Sequence, residues 1–465
     1  MRPLGVGLVY WADLDPLARA GVVDVIEVEP QTLWSKSLAQ PPGAYRLNEA
    51  LFETICMLPQ PKLLHGVGHP VAATVDDPID PAPLLRRMAD RLDAAWVSEH
   101  LSFNRVQRGA RCVEAGFLLP PLQTVAGARV AAAGVQRFGA ALGRPAAFET
   151  GVNYFQPRPG ELDDGAFFRA VAEEADSGIV LDLHNLWCNE RNGRQPMREA
   201  LAQLPLERVW ELHFAGGMAL DGYWLDAHSG RVPAAVLELA AELMPQLPHV
   251  GALVYEILPE HLDTLGLAGV ERELDRLRAL WALRRTTPAA VRVQPAPAAT
   301  PSAADLAAAR RWEGDAIDAI GWPQCGPLAA DRGAAILRRL VRDMRSANVT
   351  RALKCTMTAL VLACGVETVR RLVDRYVADT PPDAYAAAEA HQFAEYLAQQ
   401  RAALPAVPYL DEVLAFEHAL LQATLHGRTC TVKWSGDPTA VLGALESGQL
   451  PQRLPAMACE MTVAA

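Results

Sequence analysis

Six short apolar runs between Pro61 and Glu256 each end in a side chain able to hold a metal ion, and that recurrence constrains the fold more than any other feature of the chain. They are PKLLHGVG with His65, AAWVSEHLS with Glu99 and His100, PAAFET with Glu149, GIVLDLHN with Asp182, His184 and Asn185, RVWELHFAGG with Glu211 and His213, and ALVYEI with Glu256. A strand buried on both faces reads as a continuous Val/Ile/Leu-rich run, and a parallel barrel gathers the carboxyl ends of its strands on one face. Ligands far apart along the chain then converge.

Two earlier runs, GVGLVY at 5–10 and DVIEVE at 24–29, bring the number of strand candidates to eight. Between the runs lie segments of helical spacing such as LNEALFETICML, PAPLLRRMADRLDA and VAGARVAAAGVQRFGAAL. Strand then helix, repeated in this way, predicts an α/β fold, a TIM-type (β/α)8 barrel over residues 1–285. At Thr286 the composition turns to Pro and Ala without amphipathic period, which marks 286–304 as an interdomain linker. Residues 305–465 read as a second domain, mostly helical, with a short β element at RTCTVKWSGDP. A chain of 465 residues exceeds a single core, so about two to three domains are expected.

Hydrophobic residues make up 51% of the chain and charged ones 21%, the balance of folded domains with sizeable cores. The net charge of −11 argues against a nucleic-acid partner, whose phosphates call for a basic footprint. No apolar stretch approaches the roughly twenty residues that cross a bilayer, so no membrane association is expected. Eight cysteines without a CxxC pair fit reduced thiols better than a disulfide scaffold. With no apolar core of signal-peptide length in MRPLGVGLVYWADLDP, the expected location is the cytoplasm.

Imidazole, carboxylate and amide oxygen without thiolate suit iron, manganese or zinc. The candidate ligands are His65, His100, Glu149, Asp182, His184, Asn185, His213 and Glu256, joined by Asp226 and His228 in the loop WLDAHSGRV. No catalytic residue separate from these ligands is assigned. One ion takes about three to six ligands, so this set implies two or three ions, with Glu149 placed to bridge. Glu99 directly precedes His100, and strand alternation turns it to the opposite face; Glu211 shares a face with His213 but lies deeper, as a supporting partner. His69 reads as a loop residue, and His391 and His418 sit in ordinary helices with no chemistry assigned. Taken alone, any of these histidines has a hydrogen-bonded structural role as its plain alternative. The joint pattern points to metal, since so many converging charges would otherwise be costly.

HGVG with His65, SEHLSF with His100, FETGVNY with Glu149, LDLHNLWCN with Asp182 and Asn185, ELHFAGG with His213, DAHSG with Asp226 and His228, and YEI with Glu256 follow one another in a familiar order. Over about residues 1–285 the chain resembles the multinuclear non-heme iron-dependent oxidative enzymes, typified by the iron enzyme of methanobactin biosynthesis. The resemblance implies two or three iron ions in mixed Fe(II)/Fe(III) states, O2 as co-substrate, and oxidation of a ribosomally made precursor peptide, often at cysteine, for example to an oxazolone-thioamide. It implies His65, His100 and Glu149 on one ion, Glu149, Asp182, His213 and Glu256 on a second, and Asn185, Asp226 and His228 on a third. The sequence departs from the family where VEPQTLW stands for a frequent Glu-Asn pair, His184 for a frequent Asn, and His69 for a frequent apolar residue. More loosely, residues 305–455 resemble the helical partner proteins that present the peptide leader to these enzymes; fused here, they would make a separate partner unnecessary. The rival readings are a zinc or manganese TIM-barrel isomerase or endonuclease-like hydrolase, and a metal-dependent scaffold without catalysis.

Overall fold

The computed structural model describes residues 2–36, 45–285, 299–321, 326–383, 385–452, 455 and 457–464. Of the stretch expected to be a linker, residues 286–298 lie outside the described residues. The chain forms two compact units: Met1–Leu33, Asn48–Cys112 and Leu118–Leu337 make the first, and Trp34–Leu47, Val113–Phe117 and Arg338–Ala465 the second.

The first unit is a TIM-type barrel. Its strands are β1 (Gly5–Val9), β2 (Val25–Val28), β3 (Lys62–Gly66), β4 (Val97–His100), β5 (Ala146–Glu149), β6 (Gly178–Asp182), β7 (Val209–Ala215) and β8 (Ala252–Glu256). Each pairs in parallel with its neighbours in sequence, and β8 pairs with β1 to close the sheet. All eight runs picked out by their apolar continuity are these strands.

Alternation along the strands stacks the interior in layers. Val25, Leu63, Trp96, Ala147, Val180 and Ala252 form a buried apolar floor. Two or four residues further on, the same face carries Glu27, His65, His100, Glu149, Asp182 and Glu256. The floor is close-packed, so shortening Leu63 to Ala would cost about 2–5 kcal/mol. It also gives the polar layer above it a rigid base.

Helix Ala303–Gly321 belongs to this unit, where Trp312 Nε1 donates to the Pro120 carbonyl at 2.9 Å and the Arg158 guanidinium lies 3.8 Å above the Trp312 ring. Glu313 on the same helix accepts from the Thr74 amide at 2.8 Å and from the Thr74 hydroxyl.

The second unit is mostly helical, with helices Lys354–Cys364, Val366–Asp379, Ala386–Gln400, Leu410–His426 and Pro438–Glu446, and an antiparallel pair of strands, Cys430–Trp434 and Cys459–Val463. Leu353, Leu360, Tyr376, Phe393, Leu397 and Leu425 form its core. The buried Arg345 guanidinium there meets Glu389 at 2.6 Å, and Glu389 also accepts from Tyr376 Oη at 2.8 Å. Among the described residues no helix is long and apolar enough to cross a membrane.

Candidate metal centre

At the carboxyl ends of the barrel strands the predicted ligands meet. His65 on β3 and His100 on β4 place their Nε2 atoms 3.0 and 3.1 Å from the same oxygen, Glu149 Oε2 on β5. The opposite nitrogens are engaged. His100 Nδ1–H donates to the Gly66 carbonyl at 3.0 Å, and His65 Nδ1 lies 2.9 Å from Ser98 Oγ. A ring whose Nδ1 is held in this way presents a lone pair at Nε2, the arrangement of metal-binding histidines.

His213 on β7 stands between two groups of carboxylates. Its Nδ1 is 3.3 Å from Glu256 Oε1 and 3.9 Å from Glu149 Oε1, and its Nε2 is 3.2 Å from Glu27 Oε1 and 3.7 Å from Glu211 Oε1. Glu211 is fixed by Trp96, whose Nε1 donates to Oε2 at 2.9 Å. Among the described residues, three overlapping sets of side chains, all sharing His213, bring ligand atoms close enough for an ion: His65, Glu149 and His213; Asp182, His213 and Glu256; and Glu27, Glu211 and His213.

The chain turns from strand to helix at Asp182 without a loop. Asp182 caps helix Leu183–Arg191, its Oδ1 accepting from the Asn185 amide at 2.7 Å, while Oδ2 has no hydrogen-bond partner. Asn185 donates from Nδ2 to Glu149 Oε1 and to the Thr150 carbonyl, each at 3.1 Å, and its Oδ1 is buried without a partner. It therefore sides with Glu149 rather than with Asp226 and His228.

His228, in the left-handed region at φ 44°, has Nε2 3.2 Å from Asp226 Oδ2 and 3.4 Å from Glu256 Oε2. His184, expected among the ligands, has both ring nitrogens occupied by protein. Nδ1 lies 2.9 Å from Asp226 Oδ1, and Nε2 accepts from Trp224 Nε1 at 3.1 Å. His184 thus bridges Trp224 and Asp226 through its two ring nitrogens. Gly217 permits this packing: a Cβ there would lie 2.6 Å from His184 Nε2 and 2.5 Å from Trp224 Nε1. Glu99 receives the amides of His100 at 2.9 Å and His69 at 3.3 Å, beside the cluster rather than in it.

The electrostatics ask for cations. Burial would raise Glu149, but His100, His65 and His213 outweigh it and hold the carboxyl down to about 2. Glu27 and Asp182 are pushed well above the carboxylate range, first by burial and then by neighbouring acids, Glu211 for Glu27 and Asp226, Glu149 and Glu256 for Asp182. Burial opposes protonation of His213, yet Glu27 and Glu256 drive its pKa well up. A cation bound among these groups would offset the crowding of buried acids and the pull of those acids on His213, releasing protons as it binds. Buried atoms without hydrogen-bond partners concentrate here as well: both Glu27 oxygens, Glu149 Oε2, Asp182 Oδ2, Glu256 Oε2 and both His213 nitrogens. Such groups are costly without a partner, and the donor set fits a borderline first-row ion.

Glu27 is the residue that ligand-spotting in the sequence passes over. It sits mid-run in DVIEVE, and its signal is a carboxylate within an apolar strand. Glu29, two residues on and on the same face, is raised to about 7 by burial and by Glu256.

Fold and rim together define a TIM-barrel protein with a candidate multinuclear metal centre. Residues 17–275 match the model of the RiPP precursor modification enzyme family MbnB/TglH/ChrH, where RiPP denotes a ribosomally made and post-translationally modified peptide, and the chain belongs to that family. It is thus an enzyme of a family that modifies ribosomal precursor peptides. Among relatives, a UPF0276 protein of Anaeromyxobacter sp. is 31% identical over 52% of this chain and 83% of its own. A UPF0276 protein of Streptomyces avermitilis is 28% identical over 412 residues, 86% of this chain and 80% of its own, so the likeness extends past the barrel. A solved xylose isomerase domain-containing protein of Salmonella typhimurium is 11% identical, with a TM-score of 0.40 over 60% of this chain and 98% of its own.

Proposed function

We propose that the protein is an O2-dependent, multinuclear non-heme iron enzyme that oxidatively modifies a ribosomally made precursor peptide at cysteine. The observation that carries the reading is the pair of oriented imidazoles, His65 and His100, whose Nε2 atoms converge on one oxygen of Glu149 within a ring of buried carboxylates. His65, His100 and Glu149 would hold one ion, Asp182, His213 and Glu256 a second, and Asp226 with His228 a third. Iron bound there would supply redox chemistry with dioxygen.

The surrounding residues have separable tasks. Ser98 and the Gly66 carbonyl fix the ring orientations of His65 and His100, and Glu27 does the same for His213 from below. The chain Trp224–His184–Asp226 holds Asp226 in place. Beneath them the floor of Val25, Leu63 and Trp96 keeps water from the inner side of the site.

In this reading the barrel unit is the catalyst and the second unit holds the leader. A groove of about 440 Å³ runs between helix Leu410–His426 and strand Cys430–Trp434, lined by Asp411, Glu412, Ala415, His418, Gln422 and Lys433. Among the described residues that strand pairs on one side only, with Cys459–Val463, so an extended leader could add to its other edge. Carrying both parts in one chain makes docking intramolecular and a separate partner protein unnecessary. The reaction would take place in the cytoplasm.

The test is mass spectrometry of a short Cys-containing precursor co-produced with the protein, with iron quantified in the same preparation. A mass change that requires iron and air supports the reading. An unmodified peptide beside iron-loaded protein in air, or equal modification by a zinc- or manganese-loaded protein without O2, rejects it.

A further inference from the structure

The second unit carries another concentration of imidazoles, which helical spacing alone leaves scattered. His418, Gln422 and His426 stand four residues apart on helix Leu410–His426 and so share a face, as do His391 and Glu395 on helix Ala386–Gln400. Packing of the two helices joins these faces. His391 Nδ1 lies 2.8 Å from His418 Nε2, with the rings stacked at 4.9 Å and 24°. The Gln422 side-chain nitrogen is 3.3 and 3.2 Å from the same two atoms, and the His426 ring is 5.9 Å from that of His391.

Two features of this cluster go beyond a hydrogen-bonded pair. Gln422 Oε1 is buried without a hydrogen-bond partner, while the amide nitrogen beside it crowds two imidazole nitrogens that share a single proton. Turned over, the amide would aim its oxygen at the point both nitrogens face. In addition, the outer nitrogen of His391, Nε2, is 3.6 Å from Glu395 Oε1. A carboxylate behind an imidazole fixes the tautomer that leaves the inner nitrogen free for a metal. Burial lowers the pKa of His391, His418 and His426, which keeps these lone pairs available near neutral pH.

We propose that His391, His418 and Gln422, joined by His426, form a site for one divalent transition-metal ion separate from the barrel centre. Imidazole with one amide oxygen selects a borderline ion such as Zn2+, Ni2+ or Cu2+ over Mg2+ or Ca2+. The ion would tie helix Ala386–Gln400 to helix Leu410–His426. Because His418 and Gln422 also line the groove beside strand Cys430–Trp434, it would stiffen one wall of that groove. The inference stands on this cluster alone and does not depend on what the barrel catalyses.

The experiment uses the full chain carrying its barrel metal, equilibrated with Zn2+ and assayed for bound zinc. One further equivalent is expected, and it should persist in Glu149→Gln. Losing even an outer partner of a ligand costs 10–100-fold in affinity, so the double variant His391→Ala/His418→Ala should bind that equivalent at least about 100-fold more weakly, with barrel metal unchanged. Equal zinc uptake by wild type and the double variant overturns the proposal. Should the double variant not fold, crystals of the wild-type protein soaked in Zn2+ decide it: an anomalous peak between His391 and His418 is expected, and its absence overturns the site.

Discussion

Replacing Glu149 by Gln separates the metal-binding role of the rim from its part in folding. The carboxylate sits 3.0, 3.1 and 3.9 Å from nitrogens of His65, His100 and His213 and accepts from Asn185 at 3.1 Å. Gln keeps the volume and one acceptor, and its NH2 can donate to the lone pairs of His65 and His100. Metal-free protein should nonetheless lose on the order of 3 kcal/mol near neutral pH, because the carboxylate that the imidazoles hold down to about 2 becomes a neutral amide, and the iron-free arm of the assay records that loss separately. Metal binding should not tolerate the change, because the shared anionic oxygen is gone; a loss of at least about 100-fold is expected. With Fe2+ present at about 1,000 times the wild-type dissociation constant, mass action stabilises wild type by about 4 kcal/mol and the variant by about 1.4 kcal/mol. For a unit as large as the barrel, the difference of about 2.7 kcal/mol corresponds to roughly 4 °C in the iron-induced rise of Tm. The assay is thermal unfolding under argon with and without Fe2+, paired with iron analysis. An unchanged iron content and an iron-induced shift equal to wild type would refute the assignment of Glu149 as the shared ligand.

Three further outcomes are expected. Trp224→Phe removes the donor to His184 Nε2 at 3.1 Å, which frees the ring that orients Asp226; metal affinity should fall about 10–100-fold while stability changes by about 1 kcal/mol, read by metal titration and denaturation. Ala415→Trp places an indole in the groove from an exposed helical position and should weaken leader-peptide binding at least about tenfold without altering barrel metal content, measured by calorimetry. Glu313, raised by burial to about 7, holds its proton more tightly folded than unfolded, so its contribution is full below about pH 4.5 and is lost as pH rises through 7. Glu313→Gln cannot lose a proton, so wild type should weaken relative to it by on the order of 3 kcal/mol across that window, seen in chemical denaturation at pH 4.5 and 7.5.

The barrel was legible because strands covered on both faces leave apolar runs with nothing else to explain them: ALVYEI becomes Ala252–Glu256, and GIVLD becomes Gly178–Asp182. Helices betray less. The apolar stripe of Ala303–Gly321 announces that the helix packs, but not on what, and the Pro/Ala-rich stretch before it invited a domain boundary there; the helix instead belongs to the barrel's compact unit. The two-residue strands Trp34–Ser35 and Arg46–Leu47, which belong to the second unit, are too short to leave any period at all.

The site was legible to the same depth as the secondary structure around each ligand. Where a candidate ligand lies on a straight strand, as with His65, His100, Glu149, His213 and Glu256, alternation fixes which way it points, and the structure brings these five together. At Asp182 the rule changes. Reading LDLHN as extended puts Asp182 and His184 on one face, but the helix begins at Leu183, and each helical residue turns the side chain by about 100°. Two residues carry His184 away toward Trp224 and Asp226, and three bring Asn185 back over the strand end to Glu149. The change from period 2 to period 3.6 at one residue decides which of two adjacent polar side chains meets Glu149 and which meets Asp226. The same limit hid His391 and His418: each helix shows its own face, and only packing of the pair reveals that the faces meet.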